Sequence, residues 1–216
     1  VCGMLANGDT GDGKLPSEET LVSYVVRELA HEKDLHGKKV LVTAGPTQEA
    51  IDPVRYITNH STGKMGYALA EAAMLRGAEV TLISGPTAIE PPMFVNVIPI
   101  ISAQEMFEKV ATNATENDII IKAAAVADYR PKEVCDEKIK KSDHDTEIEL
   151  ERTTDILAYL GKNKGKTFLC GFSMETENML ENSRRKLDKK NLDMIVANNL
   201  KDKGAGFGVD TNFITI

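Results

Sequence analysis

The sequence lacks the features that define several large classes of protein. It contains only three cysteines, Cys2, Cys135 and Cys170, which lie far apart along the chain. An odd number of cysteines without a C-x-x-C pair predicts neither a disulfide framework nor a zinc motif. The four histidines also lack the spacing of metal ligands, so the sequence identifies no metal-binding residues. Free thiols are typical of a reducing cytoplasm, and we expect a cytoplasmic protein.

Long apolar runs and an excess of basic charge are also absent. Without a run of about 18 apolar residues we expect no transmembrane helix, and the N-terminus shows no secretory-signal pattern. The net charge of −7 argues against nucleic acid or an acidic membrane as a partner, because both need a basic face. With 216 residues, 42% of them hydrophobic, the chain is expected to be soluble and globular, with one large domain or a domain plus a fragment.

Strand and helix patterns alternate along the chain after a polar joint at residues 33–38. Continuous apolar strands between amphipathic helices are typical of a parallel sheet covered on both faces. We therefore predict an α/β fold, with a doubly wound, mostly parallel Rossmann-like sheet and helices on both faces. Such folds bind their ligands at the carboxyl ends of the strands. The predicted strands are 39–44, 79–84, 95–99, 118–124, 147–151, 167–172, 194–197 and 212–216, and the predicted helices are 17–32, 65–76, 102–114, 155–160 and 175–190.

The most distinctive segment is residues 45–66, GPTQEAIDPVRYITNHSTGKMG, which joins a predicted strand to a helix. A connection of about 2–6 residues suffices between such elements, and this one is roughly twenty residues long. It holds two acids, an Arg, a Lys, an Asn, a His and several hydroxyls. Long ordered loops between regular elements are usually functional, so we predict that the segment carries part of a binding site.

Two glycines at the end of this segment, Gly63 and Gly66, are open to two interpretations. They would let a helix N-terminus approach a phosphate, as in a dinucleotide-binding domain, or they would only let the helix pack closely on the sheet. The G-x-G-x-x-G fingerprint is absent, and the second strand ends in SGP without the acid that binds a ribose 2′-hydroxyl. Met65 follows Lys64 where a P-loop needs Ser or Thr, so a P-loop is rejected.

Three further segments combine charge with small or flexible residues, and each has a plain structural alternative. Residues 122–130, KAAAVADYR, suit either a ring or phosphate close to the backbone or close packing of a helix. Residues 137–141, EKIKK, are either a loop that closes over a polyphosphate or a solvated charge run. Lys186 and Lys190 share one face of a helix, which is either a binding face or ordinary surface.

Taken together, these segments resemble a known family. GPTQExID, RYITNHSTGKMG, KAAAVADYR, EKIKK, GFSxET and KxxxKNLDxIVAN occur in the order found in phosphopantothenoylcysteine synthetase of coenzyme A biosynthesis. The resemblance is to the bacterial type that is fused behind a phosphopantothenoylcysteine decarboxylase. It implies that residues 1–35 are the C-terminal remnant of the decarboxylase domain and a linker, and that residues 36–216 are the phosphopantothenate–cysteine ligase domain.

Both ends of the chain depart from the complete family pattern. The decarboxylase tail usually reads A-C-G-D-x-G-x-G, and here Asn7, which cannot do thiol chemistry, stands in place of the cysteine. The resemblance implies that FMN belongs only to the decarboxylase body, which is absent, so we expect no decarboxylase activity. The family continues beyond residues 212–216, so a truncated C-terminal end is expected.

The resemblance implies a ligase that works in two steps. The carboxylate of 4′-phosphopantothenate attacks the α-phosphate of CTP, which gives a phosphopantothenoyl-CMP intermediate and pyrophosphate. The amine of L-cysteine then attacks the activated carbonyl, which gives 4′-phosphopantothenoylcysteine and CMP. CTP is the co-substrate of the bacterial type and Mg²⁺ is the expected cofactor. We also expect a homodimer with the substrate site near the subunit contact, and a flap over residues 131–145.

The resemblance also assigns roles to residues that match the family motifs. Asn59 is expected to hold the acyl intermediate and to assist the attack of cysteine, because an amide NH₂ can donate to a developing oxyanion. Arg55 is expected to bind substrate and Lys138 to serve the nucleotidyl step. The expected catalytic set is Asn59, Lys138, Arg55 and Ala125, and the expected substrate-binding set is Arg55, Asn59, Ala124 and Ala125. The expected CTP-binding residues are Ala124, Asp128, Lys138, Thr154, Asp155, Ile156, Phe172, Lys186 and Lys190.

The chain differs from the family pattern in two places, and two other functions are considered for it. The family usually has Asn-Pro-Asp where this chain has TTD at residues 153–155, and Gln48 replaces a common Arg or Lys and receives no role. An NAD(P)-binding Rossmann oxidoreductase is one other function, although the ribose-binding acid and a Tyr-x-x-x-Lys pair are missing. A non-catalytic dimerisation or regulatory module is the other.

Overall fold

The structure is a computed structural model that describes residues 2–4, 7–141, 146–175, 177–199 and 211–216. The helices are α1 (Glu18–Leu29), α2 (Lys64–Leu75), α3 (Ala103–Asn113), α4 (Ile156–Asn163) and α5 (Met179–Lys189), with a 3₁₀ turn at Ala114–Glu116. The strands are β1 (Cys2–Met4), β2 (Thr10–Asp12), β3 (Lys39–Ala44), β4 (Gln48–Ala50), β5 (Tyr56–Thr58), β6 (Glu79–Ser84), β7 (Asn96–Pro99), β8 (Ile119–Lys122), β9 (Tyr129–Pro131), β10 (Leu150–Arg152), β11 (Phe168–Glu175), β12 (Met194–Asn199) and β13 (Ile214–Thr215).

Seven of these strands form one sheet in the order β7-β6-β3-β8-β11-β12-β13. All neighbours pair in parallel except β12 and β13. The chain runs outward from β3 to β6 and β7, returns to β8 beside β3, and continues through β11 and β12. This doubly wound order creates a switch point between β3 and β8, where folds of this kind bind their ligands. The predicted fold class is therefore confirmed.

Apolar side chains cover both faces of the sheet. One face packs on α3 and α4, and its buried residues include Leu41, Ile83, Met106, Ile120, Leu160 and Leu169. The other face packs on α2, and its buried residues include Val40, Val42, Ala70, Met74 and Leu82. Each fully buried Leu or Ile side chain is worth about 1.5–3 kcal/mol relative to an exposed one. The central strands consequently form a rigid base for the loops at their carboxyl ends.

The helix starts follow from local sequence. Ser17 and Ser102 cap α1 and α3 as predicted, and Asp155 caps α4, because their side-chain oxygens accept the free N–H groups of the first turn. The hydrogen bonds run from Thr20 N to Ser17 Oγ (3.3 Å), from Glu105 N to Ser102 Oγ (3.2 Å) and from Ala158 N to Asp155 Oδ1 (2.9 Å).

The exposed strands differ most from the prediction. Residues 45–66, expected to be a loop, contain the antiparallel hairpin of β4 and β5, and β9 pairs with β10 outside the main sheet. β4, β5 and β9 are three residues long and largely polar, so they carry no alternating pattern, whereas β10 overlaps the end of the predicted strand at 147–151. Long-range contacts hold them instead; for example, Gln48 N donates to Ile101 O at 2.8 Å. β8 ends at Lys122, two residues earlier than predicted.

The N-terminal elements make few contacts with the sheet. No residue of α1 is buried. The helix contacts Phe94 through Tyr24, whose ring centroid lies 4.7 Å from that of Phe94, and through Arg27, whose guanidinium lies 4.8 Å from the same centroid. Lys33 Nζ donates to Leu75 O at 2.6 Å, which ties the joint to the end of α2. The division of the chain at residues 35 and 36 stays a prediction. Within the described ranges, no helix has both the length and the apolar character needed to cross a membrane.

Candidate active site

A cavity of about 1110 Å³ opens at the switch point between β3 and β8. We name it the switch-point cavity. Its walls come from the end of residues 45–66 with the start of α2, from the end of β8, from the start of α4, and from β11 and α5. Its lining includes Asn59, Gly63, Lys64, Lys122, Ala124, Ala125, Asp128, Thr154, Asp155, Ile156, Phe172, Lys186 and Lys190.

The floor of the cavity is a backbone held by two buried threonines. Ala125 N donates to Gly45 O at 2.9 Å, so β3 and β8 stay paired beyond their ends. Thr43 Oγ1 accepts from Ala124 N at 3.2 Å, and Thr47 Oγ1 accepts from Ala127 N at 3.0 Å. The alanines therefore present a fixed, small-residue surface to the cavity.

The two glycines at the start of α2 are explained first by packing. A Cβ on Gly66 would lie 2.5 Å from the Ala44 Cβ, and one on Gly63 would lie 2.7 Å from the Thr87 Cγ2. Gly63 also has φ +81°, in the left-handed region that favours glycine. Close packing of helix on strand is therefore sufficient to require Gly66. Both residues nonetheless line the cavity.

Asn59 follows β5 directly, at the rim of the cavity. Its Oδ1 accepts from Ser61 N at 3.0 Å, which fixes the orientation of the amide. The remaining NH₂ group makes no hydrogen bond within the described residues. Asn59 thus offers a donor to a ligand in the cavity, as its predicted role requires.

Lys186 of α5 and Lys190, the C-cap residue of that helix, reach the opposite wall. Lys186 Nζ donates to Phe172 O at 2.7 Å, and Lys190 Nζ lies 2.9 Å from Asp155 Oδ2. Burial alone would raise the pKa of Asp155, but the hydrogen bonds from Lys190 and Ala158 hold it below its usual value. The carboxylate is therefore ionised, and it fixes Lys190 beside the start of α4.

Lys122 was not assigned a role from the sequence, although it is the only charged residue of β8. Burial first, and then the nearby charge of Lys186, lower the pKa of Lys122 to about 8. Its ammonium group makes no hydrogen bond or ion pair within the described ranges. Lys122 ends a central strand beside two other lysines, and the carboxylates of Asp155 and Asp128 offset its electrostatic cost only in part, so an anionic ligand would stabilise its charge. The signal in the sequence was this single cation in an apolar strand.

Asp128 lies at the exposed end of the same wall. Its side chain makes no hydrogen bond within the described part of the chain, while its carbonyl accepts from Thr153 N at 3.0 Å. Thr153 Oγ1 also donates to Ala127 O at 2.6 Å. Thr153, which departs from the family pattern, therefore joins the Asp128 turn to the start of α4.

Arg55 and Lys138 do not line the switch-point cavity. They lie in a second concavity of about 620 Å³, which we name the basic depression. Its lining residues are Ile51, Arg55, Lys138, Ile139, Lys140, Lys141, Thr146 and Ile148. The structure thus brings together every predicted site residue except these two. Residues 142–145 of the predicted flap lie outside the described residues, and within the described ranges no cluster of three or more His, Cys, Asp or Glu could hold a metal ion.

A family model matches most of the chain. The model for the DNA/pantothenate metabolism flavoprotein C-terminal domain aligns with residues 35–216. This chain belongs to that family.

Relatives within the family are close in sequence. The coenzyme A biosynthesis bifunctional protein CoaBC of Bacillus subtilis (strain 168) is 52% identical over 217 residues, which are 99% of this chain and 53% of the relative. The CoaBC protein of Escherichia coli (strain K12) is 42% identical over 214 residues, which are 97% of this chain and 53% of the relative. The chain therefore spans about half the length of these curated relatives.

Solved structures agree with this family assignment. The crystal structure of a CoaBC C-terminal domain is 53% identical, with a TM-score of 0.69, and the match covers 76% of this chain and 79% of that one. A Cab2 mutant in complex with phosphopantothenate-cysteine is only 18% identical at a TM-score of 0.69, over 88% of this chain and 82% of that one, so it supports the fold alone. The relationship to the synthetase part of CoaBC, predicted from the motifs, is confirmed.

Proposed function

We propose that this chain ligates 4′-phosphopantothenate with L-cysteine at the expense of CTP, through a phosphopantothenoyl-CMP intermediate. The observation that carries the proposal is the arrangement of the switch-point cavity. Three lysines, Lys122, Lys186 and Lys190, lie on the side of β8 and α5, and the Asn59 amide lies on the side of α2. Family membership and the CoaBC relatives support it further.

In the first step, a carboxylate oxygen of phosphopantothenate bonds to the α-phosphorus of CTP and the bond to pyrophosphate breaks. Negative charge accumulates on the leaving phosphates, and cations fixed in advance stabilise such charge. Lys186 and Lys190 are fixed by the Phe172 carbonyl and the Asp155 carboxylate. We propose that Lys122 adds a third cation, because a triphosphate would compensate its buried charge.

The remaining groups of the cavity are suited to the cytosine base and to the metal ion. Asp128 has a carboxylate able to accept from the cytosine amino group, with Phe172 as an apolar contact. Mg²⁺ usually keeps several waters and binds substrate phosphates with one or two carboxylates. Since the described residues offer no cage of acids, we propose that the metal is held chiefly by the triphosphate and water.

In the second step, the cysteine amine bonds to the acyl carbon, the bond from that carbon to the bridging oxygen breaks, CMP departs with this oxygen, and the amine loses a proton. The free NH₂ of Asn59 is suited to donate to the carbonyl oxygen where charge develops. The alanine backbone held by Thr43 and Thr47 would position the acyl group beside it.

Arg55 and Lys138 must reach the same substrate for the proposal to hold. Since they line a separate concavity, we propose that their segment moves over the cavity or that a second copy of the chain supplies them in a homodimer. We also propose a cytoplasmic location.

The direct test is to incubate the chain with CTP, Mg²⁺, phosphopantothenate and cysteine. We expect CMP and pyrophosphate in equal amounts, and pyrophosphate without CMP when cysteine is omitted. No pyrophosphate above background would contradict the proposal. Tight binding of NADPH in a fluorescence titration would favour an oxidoreductase, although β6 ends in Ser84 and not in an acid.

A further inference from the structure

Asp52 is a buried carboxylate that no predicted role uses. It lies in the turn between β4 and β5, and its side chain has no exposed surface. Oδ1 accepts from Val54 N (2.9 Å) and Arg55 N (2.8 Å), and Oδ2 accepts from Arg55 Nε (2.9 Å) and Ile139 N (3.1 Å). Arg55 Nη2 is also paired with Oδ2. A carboxylate with this many donors is ionised and firmly placed.

The last of these contacts reaches a segment far along the chain. Ile139, the residue after Lys138, is held at both of its backbone groups: its N–H donates to Asp52, and its carbonyl accepts from Arg55 Nη2 at 2.9 Å. Cys135 N also donates to Ile51 O at 3.0 Å. We name Asp52, Arg55 and Ile139 the Asp52 brace. It fixes the backbone beside Lys138 relative to the hairpin that leads to Asn59.

The positive charges of the region oppose the contact that the brace makes. Four cations line the basic depression, namely Arg55, Lys138, Lys140 and Lys141. Their mutual repulsion would drive an exposed loop away from the hairpin. The hydrogen bonds from Arg55, ahead of those from the backbone, hold the pKa of Asp52 far below its usual value. Its negative charge therefore persists at every pH near neutrality.

We propose that Asp52 is a positioning residue, which holds Arg55 and the Lys138 segment together in one depression. For its role in catalysis the inference rests on the proposed function, because Arg55 and Lys138 are expected to act on substrate there. Asp52 itself would touch no reacting atom. Its effect would pass through the orientation of Arg55 and the peptide of Ile139.

The test is Asp52→Asn, which keeps the side-chain volume but removes the negative charge. It also replaces one acceptor oxygen by an NH₂ group, which cannot accept the hydrogen bonds that Asp52 receives. Pyrophosphate release should fall about 10- to 100-fold, while CTP affinity in the switch-point cavity should change by less than about twofold. Trypsin cleavage after Lys138, Lys140 or Lys141, mapped by mass spectrometry, should accelerate about tenfold. Unchanged cleavage, or a loss of CTP affinity equal to the loss of pyrophosphate release, would overturn the inference.

Two further variants keep the test decisive. Glu149→Gln removes the Lys132 ion pair at the start of the same segment (2.8 Å) and should change neither readout; an equal effect would contradict the inference. If Asp52→Asn does not fold, Arg55→Lys keeps the charge but loses the fork that reaches Ile139, and it should accelerate the same cleavage. If the unmodified chain releases no pyrophosphate, the proposed function fails, and the proteolysis alone decides the role of Asp52.

Discussion

The switch-point cavity and the basic depression both gather cations, but they hold them in different ways. The cavity places Lys122 on a strand of the sheet, Lys186 on α5 and Lys190 at the C-cap of that helix. The depression places Lys138, Lys140 and Lys141 on an irregular segment, which the Asp52 brace ties to the hairpin. Cations on rigid elements suit the binding of a ligand, whereas cations on an irregular segment tied to a hairpin can be repositioned together with it during a reaction.

Lys138→Gln, in the basic depression, is expected to have the largest effect on the reaction. A small effect would contradict the contrast drawn between the depression and the switch-point cavity. The change removes a cation that is expected to serve the nucleotidyl step, so pyrophosphate release should fall about 10²- to 10³-fold. CTP affinity should fall much less, because Lys138 lies outside the switch-point cavity. Single-turnover assays and calorimetry measure the two quantities. Lys132→Gln in the same segment is the control and should resemble the unmodified chain.

Asn59→Asp should separate the two steps of the reaction. The substitution replaces the NH₂ donor by an oxygen, so the attack of cysteine should slow about 10²-fold while pyrophosphate still forms. Phosphopantothenoyl-CMP should then accumulate and be detectable by mass spectrometry. Product formation at the normal rate would refute the role of Asn59. Asn113→Asp, outside the cavity, is the matched control.

Lys122→Met tests the third cation of the cavity. The change keeps an unbranched side chain but removes the charge, so CTP affinity should fall about tenfold, the size of a charge-assisted hydrogen bond. Pyrophosphate release at saturating CTP should change less. Calorimetric titration gives the affinity, and Lys162→Met on the exposed side of α4 is the control. Equal affinities in both variants would remove Lys122 from the site.

The pH dependence of CTP affinity is the smallest expected effect. Lys122 in the free chain has a pKa of about 8, and a bound triphosphate should raise it toward the ordinary value. Below pH 8, Lys122 is already charged in the free chain, so CTP binds without proton uptake. Above pH 8, Lys122 is mostly neutral in the free chain and must take up a proton when CTP binds. Affinity should therefore fall by up to about tenfold between pH 7 and pH 9. Lys122→Met should lack this part of the decline; identical slopes in both proteins would exclude Lys122 as its source.

The parts of the fold that could be predicted are those with strong local patterns. β3 and β6 have the predicted bounds, because their apolar residues face helices on both sides. Ser17 and Ser102 are predicted correctly as caps because capping also depends on local sequence, within one turn of the helix. The hairpin of β4 and β5 has no such pattern and depends on contacts such as Gln48 N with Ile101 O.

The residues of the candidate site likewise include some that could be predicted from the sequence and some that could not. Motif resemblance indicated most residues that the structure brings to the switch-point cavity, because they follow strand ends that the fold class places at one edge. It did not predict that Arg55 and Lys138 lie apart from Asn59, since this depends on the bonds between Asp52 and Ile139 across 87 residues of chain. Lys122 was overlooked because its charged neighbours lie on α5.

The contact between Gly66 and Ala44 limits how this cavity can change during evolution. One methyl group at residue 66 would overlap the end of β3 and shift the start of α2. Variation that adapts the cavity to a different ligand is therefore expected at the opposite wall, where Asp128 and Thr154 are exposed. Differences in nucleotide preference among relatives are accordingly expected to map to that wall, while the glycine side remains the same.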